Sequence, residues 1–108
     1  MERIGFKMKL HPGNQVEYKK RHDEIWPELS ELLADYGIRN YLIFHDPETD
    51  ILFATFEKTD TNRLAELADA PVMKKWWAFM GDIMDTNEDT SPVQKPLNCV
   101  FDLATERP

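Results

Sequence analysis

The chain opens on a strict alternation. Ile4, Phe6, Met8 and Leu10 fall on one side, and Arg3, Gly5, Lys7 and Lys9 on the other. A period of two predicts a half-buried strand. "HPGN" follows as turn chemistry, with Asn14 placed to cap a helix. From about Gln15 to Tyr36 the period changes. Tyr18, His22, Ile25, Trp26, Leu29, Leu32, Leu33 and Tyr36 trace one helical face. Pro27 interrupts that face. It lacks an N–H and clashes with the carbonyl of Asp23, so the helix must kink near Trp26 or stop and restart with Pro27 in its first turn. Gly37 is placed as the C-terminal cap.

"IRNYLIFH" and "ILFATFE" read as a hairpin of two strands around the turn "DPETD". A second helix is predicted to start in "TDTNRLAELADA", capped by Thr61 or Asp60 and divided by Pro71. Its later stripe is Met73, Trp76, Trp77, Met80 and Met84. "DTNEDTSPVQKP" is a long polar loop, and "LNCVFDL" is predicted as the last strand. The order β-α-β-β-α-β predicts an α+β, ferredoxin-like fold: one four-stranded antiparallel sheet with both helices on one face. The middle strands are apolar on both sides, with Tyr41 and Ile43 opposed to Leu42 and Phe44. Two-sided apolar strands require cover on both faces. A second copy is the simplest cover, which predicts a homodimer packed sheet to sheet.

A chain of 108 residues, 42% of them hydrophobic, suits one domain spanning 1–108. The net charge of −7 makes nucleic acid an unsuitable partner. The only basic cluster is Lys19, Lys20 and Arg21, read as the solvated side of its helix. No apolar run reaches the ~20 residues of a membrane span. "MERIGFKMKL" has no signal-peptide core, so a cytoplasmic location is expected. Cys99, the single cysteine, is expected to be a buried, inert thiol in the last strand.

The chemistry is narrowed by what the sequence lacks. It has no Gly-rich phosphate loop, no dinucleotide fingerprint and no serine elbow, and His11, His22 and His45 have no metal-ligand spacing. Acid–base work on a small ligand remains. His22 shares an apolar stripe with Tyr18 and Trp26, so its ring is directed inward, where neighbours tune its pKa. Tandem Trp76 and Trp77 diverge by about 100° around a helix. One is expected to pack and the other to line an opening, where an indole face suits the C–H patches of a sugar. Tyr18 and Tyr41 add phenol donors to the same cleft.

These blocks resemble a known family. "YKKRHDEIWPEL", "NYLIFHD", "KKWWAFMGDIM" and "NEDTSPV" are similar, over nearly the whole chain, to the L-rhamnose mutarotases. The resemblance implies interconversion of the α and β anomers of L-rhamnose without cofactor or metal, by cytoplasmic homodimers whose ferredoxin-like subunits form a dimeric α/β barrel. It also implies His22 as proton donor and Tyr18, Tyr41, Trp76 and Trp77 as sugar-binding residues. In the mechanism that follows, protonated His22 donates to the ring oxygen. The acceptor of the anomeric proton stays open among Tyr18, a carboxylate and water. The rivals are a cofactor-independent oxygenase or isomerase on the same barrel, and a non-catalytic sugar-binding module. The terminal "ATERP" carries no evident role.

Overall fold

The alternating opening forms β1, Glu2–Lys9, in a computed structural model that describes residues 1–103. The terminal "ATERP" lies outside the described residues. The further elements are α1 (Gln15–Asp23), α2 (Pro27–Asp35), β2 (Ile38–His45), β3 (Ile51–Lys58), α3 (Pro71–Met80) and β4 (Lys95–Pro96). The sheet order is β2-β3-β1-β4 and every pairing is antiparallel. This is the expected ferredoxin-like arrangement.

The helical stripe breaks where proline requires it. α1 ends at Asp23, and α2 restarts with Pro27 at its first position and Trp26 in an extended conformation before it. Proline fits there because the first helical N–H has no partner to lose. Gly37 follows α2 at φ 84°, the left-handed region that glycine tolerates. It is also cramped: a Cβ on Gly37 would lie 2.5 Å from Thr59 Oγ1 and 2.8 Å from Asn62 Cα.

One face of the sheet meets the helices. Phe6, Met8, Leu52, Ala54, Phe56 and Ile38 are buried there, against Leu29, Met73, Trp76 and Met80 from the helices. β2 reaches that face through a bulge. Ile38 pairs with Lys58 and Arg39 with Glu57, but the next partners are Leu42 and Thr55. Asn40 and Tyr41 therefore stand opposite Phe56 alone. Asn40 absorbs the extra residue at φ 49°, and its amide donates to Glu57 Oε1 at 3.0 Å. Ile38 and Tyr41, three apart, consequently face the same side. The opposite sheet face is open, with Leu42 50%, Phe44 61% and Phe53 39% exposed.

Several expectations are corrected. The last strand is only Lys95–Pro96, pairing with Phe6 and Lys7; "LNCVFDL" keeps one backbone bond to β1, from Leu97 N–H to the Gly5 carbonyl at 2.9 Å, and then runs on outside any strand. Alternating apolar residues mark a strand only when an edge is there to pair with, and β1 engages this part of the chain through Lys95, Pro96 and the one bond from Leu97. Cys99 is accordingly exposed, not buried, and its thiol donates to the Phe101 carbonyl at 3.4 Å. The second helix does not start at Thr61 or Asp60. Leu64–Asp69 is a 3-10 helix, and Asn62 Oδ1 accepts from Leu64 N–H at 3.1 Å. Asn14 occupies the N-cap position of α1, and its carbonyl accepts from Tyr18 N–H at 2.9 Å, but its side chain makes no capping bond; its amide donates to the carbonyls of His11 and Pro12. α3 stops at Met80, and Met84 instead forms an isolated bridge with Leu10.

Candidate active site

The last turn of α1 carries His22. Its Nδ1 lies 2.9 Å from the Tyr18 carbonyl oxygen, one helical turn back. A carbonyl only accepts, so Nδ1 carries the hydrogen and the neutral ring presents Nε2 as a free lone pair. The Tyr18 ring stacks on the imidazole at 4.3 Å, and Trp76 meets it edge-on at 5.4 Å. Burial lowers the His22 pKa from its usual 6.5, partly opposed by the Tyr18 carbonyl bond and by the charge of Asp23. His22 is thus held neutral near pH 7, with one nitrogen fixed and the other available.

Tyr41 enters from β2. The bulge at Asn40 turns it toward the helices, where it stacks on Phe56 at 5.3 Å and meets Phe6 edge-on at 6.4 Å. Burial raises the pKa of both Tyr18 and Tyr41, and for Tyr18 the nearby Tyr41 adds to the rise. Tyr41 exposes 39% of its surface, yet desolvation of its hydroxyl is the cause of its shift. Both phenols stay protonated and serve as donors.

The tandem tryptophans differ in burial, though both border the cleft. Trp76 is buried at 6% exposure, edge-on to Trp26 at 5.1 Å, while Trp77 is half-buried. All five residues nominated from sequence line one cleft of about 1430 Å³ between helices and sheet. The five also line a smaller chamber of about 70 Å³ in the same region. Gln94 lines both spaces and was missed. It sits in the polar loop before β4, where no periodicity singles out one residue. No group of three or more His, Cys, Asp or Glu side chains among the described residues is placed to hold a metal ion. No helix among them is long and apolar enough to cross a membrane.

Arg21 corrects the reading of the basic cluster as solvated. Its side chain is only 12% exposed. Nη1 donates to the Phe79 carbonyl and to Asp82 Oδ1, each at 2.8 Å, and Nε donates to Glu17 Oε2 at 2.7 Å. The guanidinium also lies 4.5 Å above the Phe79 ring. Asp82 and Glu17 together raise the pKa of Arg21, and Arg21 lowers that of Asp82. This clamp ties α1 to the end of α3, so it fixes His22 against Trp76.

Known proteins match this architecture. A sequence model described as L-rhamnose mutarotase matches residues 3–103. The chain belongs to the L-rhamnose mutarotase family. Among relatives, the L-rhamnose mutarotase of Agrobacterium fabrum is 54% identical over 103 residues, covering 95% of this chain and 96% of that protein. That of Brucella anthropi is 53% identical, covering 93% and 94%. The crystal structure of an L-rhamnose mutarotase from Formosa agariphila superposes with a TM-score of 0.89 at 48% identity, covering 95% of this chain and 99% of that one. Family membership agrees with the resemblance carried by the histidine, tyrosine and tryptophan blocks.

Proposed function

We propose that this chain interconverts the α and β anomers of L-rhamnose, an isomerase reaction of acid–base ring opening and reclosure. The observation that carries the reading is His22: a neutral imidazole with Nδ1 committed to the Tyr18 carbonyl and Nε2 free, in a cleft of phenols and indoles. The relatives are named for this activity.

Mutarotation moves one proton from the anomeric hydroxyl to the ring oxygen, and these two oxygens share one carbon. A single nitrogen reaches both. Neutral Nε2 takes the anomeric proton, and the C1–O5 bond breaks with its electron pair leaving on the ring oxygen. The imidazolium then returns its Nε2 proton to that oxygen. His22 is donor and acceptor in turn, and the open chain rotates about C1–C2 before the steps reverse. Tyr18 and Tyr41, held protonated by burial, donate to the sugar oxygens as charge develops. Trp77 stacks on the sugar while Trp76 holds the imidazole in place. Protons and electrons balance within the sugar and one side chain. A general acid–base group of this kind contributes about 10²–10⁴-fold in rate.

A homodimer belongs to the same reading. Leu42, Phe44 and Phe53 on the open sheet face, with Val100 and Phe101 exposed beyond β4, supply apolar surface for a second copy. The cytoplasm is the proposed compartment, where an exposed free thiol such as Cys99 stays reduced.

The test is NMR saturation transfer between the anomeric protons of L-rhamnose, with and without protein. Exchange should accelerate with the wild type and fall by about 10²-fold or more in His22→Ala. Binding without acceleration would leave a sugar-binding module. A His22→Ala variant that exchanges anomers at the wild-type rate would sink the assignment.

A further inference from the structure

Four of the five methionines of the chain line one small space. Met8 comes from β1, Met73 and Met80 from α3, and Met84 from the bridge to Leu10. All four are buried, at 6%, 7%, 2% and 4% exposure, and Ile43 of β2 lines the same space. The remaining Met1 is 69% exposed. Three separate parts of the chain therefore bring the same soft, unbranched, apolar side chain to one chamber of about 70 Å³. His22, Tyr18, Tyr41, Trp77 and Gln94 supply its polar rim. A water-filled polar site would not be walled in this way, because thioethers offer water only weak acceptors.

We infer that this methionine chamber is the seat of the C6 methyl group, and that it makes the enzyme selective for 6-deoxy sugars. The inference rests on the mutarotase reading above. In that reading Nε2 of His22 addresses the ring oxygen. The ring oxygen is bonded to C5, and C5 carries C6. Whatever residue serves the ring oxygen therefore fixes C6 close beside it. His22 and the four methionines border the same chamber, so the methyl group has the methionine wall within reach. The hydroxyls at C2 and C3 lie across the ring from C6, on the side left for the phenols and Gln94 of the rim. A methyl group gains from burial against thioethers and methylenes. A 6-hydroxyl in its place loses its water and finds no strong partner on that wall.

The discrimination has a calculable size. A missing methyl-sized group in an apolar pocket costs about 10- to 200-fold in kcat/KM, and an added hydroxyl that such a pocket cannot bond costs about 10²-fold. L-Mannose adds the 6-hydroxyl to L-rhamnose, and L-lyxose lacks C6 altogether. Anomeric exchange of L-mannose should be about 10²-fold less efficient than that of L-rhamnose, and L-lyxose should fall between 10- and 200-fold lower.

A second measurement locates the methyl directly. With protein carrying ¹³C-labelled methionine methyls, bound L-rhamnose should show nuclear Overhauser contacts from its C6 protons to methyls of Met8, Met73, Met80 or Met84, and none to Met1. The inference is overturned if L-mannose exchanges within about threefold of L-rhamnose, well short of the ~10² expected. It is equally overturned if the C6 protons contact the rim and no buried methionine. Loss of L-rhamnose exchange itself would instead bring down the mutarotase reading, so the two failures are told apart.

Discussion

Replacing Trp76 and Trp77 separately by alanine should pull stability apart from sugar handling. Trp76 is 6% exposed and touches three aromatic rings: His22 at 5.4 Å, Trp26 at 5.1 Å and Phe79 at 5.7 Å. A buried indole removes about 150–250 Å² from water, which at about 25 cal/mol per Å² is roughly 4–6 kcal/mol. Measured Trp-to-Ala costs of about 3–5 kcal/mol agree. For a domain of this length each kcal/mol moves Tm by about 4–8 °C, so Trp76→Ala should lower Tm by roughly 15–30 °C. A domain of about 5–15 kcal/mol total stability stays folded at 25 °C after such a loss, though with little margin at the low end. Trp77 is half-buried, and its truncation should cost about 1 kcal/mol, near the average for point changes. Its effect should appear in efficiency instead, at tenfold or more in kcat/KM, which corresponds to about 1.4 kcal/mol of lost sugar contact. Circular dichroism melts give the first quantity and anomeric saturation transfer at 25 °C the second. Trp76→Phe should recover most of the Tm by refilling the space. If both alanine variants lose the same Tm, the division between packing and lining tryptophan is wrong.

Other expectations follow from the same contacts. Burial depresses the His22 pKa below 6.5, so kcat/KM should hold level as pH falls through 6.5 and decline only at more acidic pH; a decline centred at or above 6.5 would remove the buried Nε2 as the base. The sign for stability is the same: the folded state favours neutral His22, so its contribution is present above 6.5 and lost as pH falls through the lowered folded value, readable as a decline in Tm. Gly37→Ala combines a left-handed φ, about 1–2 kcal/mol, with overpacking against Thr59 and Asn62, about 1–3 kcal/mol, so denaturant melts should show a loss of about 2–5 kcal/mol. Arg21→Met keeps the aliphatic stem but frees α1 from α3; stability should drop by about 1.5–3 kcal/mol, and kcat should fall more than KM rises as His22 loses its fixed place. Arg21→Lys should rescue little, because one ammonium cannot serve Phe79, Asp82 and Glu17 together.

Much of this was legible from the chain. Alternation found β1, β2 and β3, and the helical period found both the break at Pro27 and the inward turn of His22. The five nominated site residues meet in one cleft, but periodicity assigned a face only to Tyr18 and His22; the face of Tyr41 is set by the bulge at Asn40, and the adjacent Trp76 and Trp77 could not be told apart. Legibility failed where a side chain's fate depends on a distant backbone. Arg21 reads as solvated because its neighbours are charged; only the fold brings the Phe79 carbonyl of α3 and Asp82 within its reach. The final strand failed for a related reason, since "LNCVFDL" has the right residue types but keeps one backbone bond to β1, from Leu97 to Gly5, and forms no strand. Gln94 offered no pattern at all. The methionines were visible as a stripe on α3, but the stripe could not show that Met8 and Met84 complete a chamber with them.

The bulge in β2 has a consequence for anyone redesigning this chain or comparing its relatives. It acts as a phase shifter: the residues before Asn40 and those after it keep opposite parity along one strand. Deleting a single residue there would restore a regular ladder, and with it a choice the strand now avoids. Either Ile38 would turn out of the core or Tyr41 would turn out of the cleft. Length at this point is therefore inherited together with the chemistry, and grafting the tyrosine onto another ferredoxin-like scaffold requires grafting the extra residue with it.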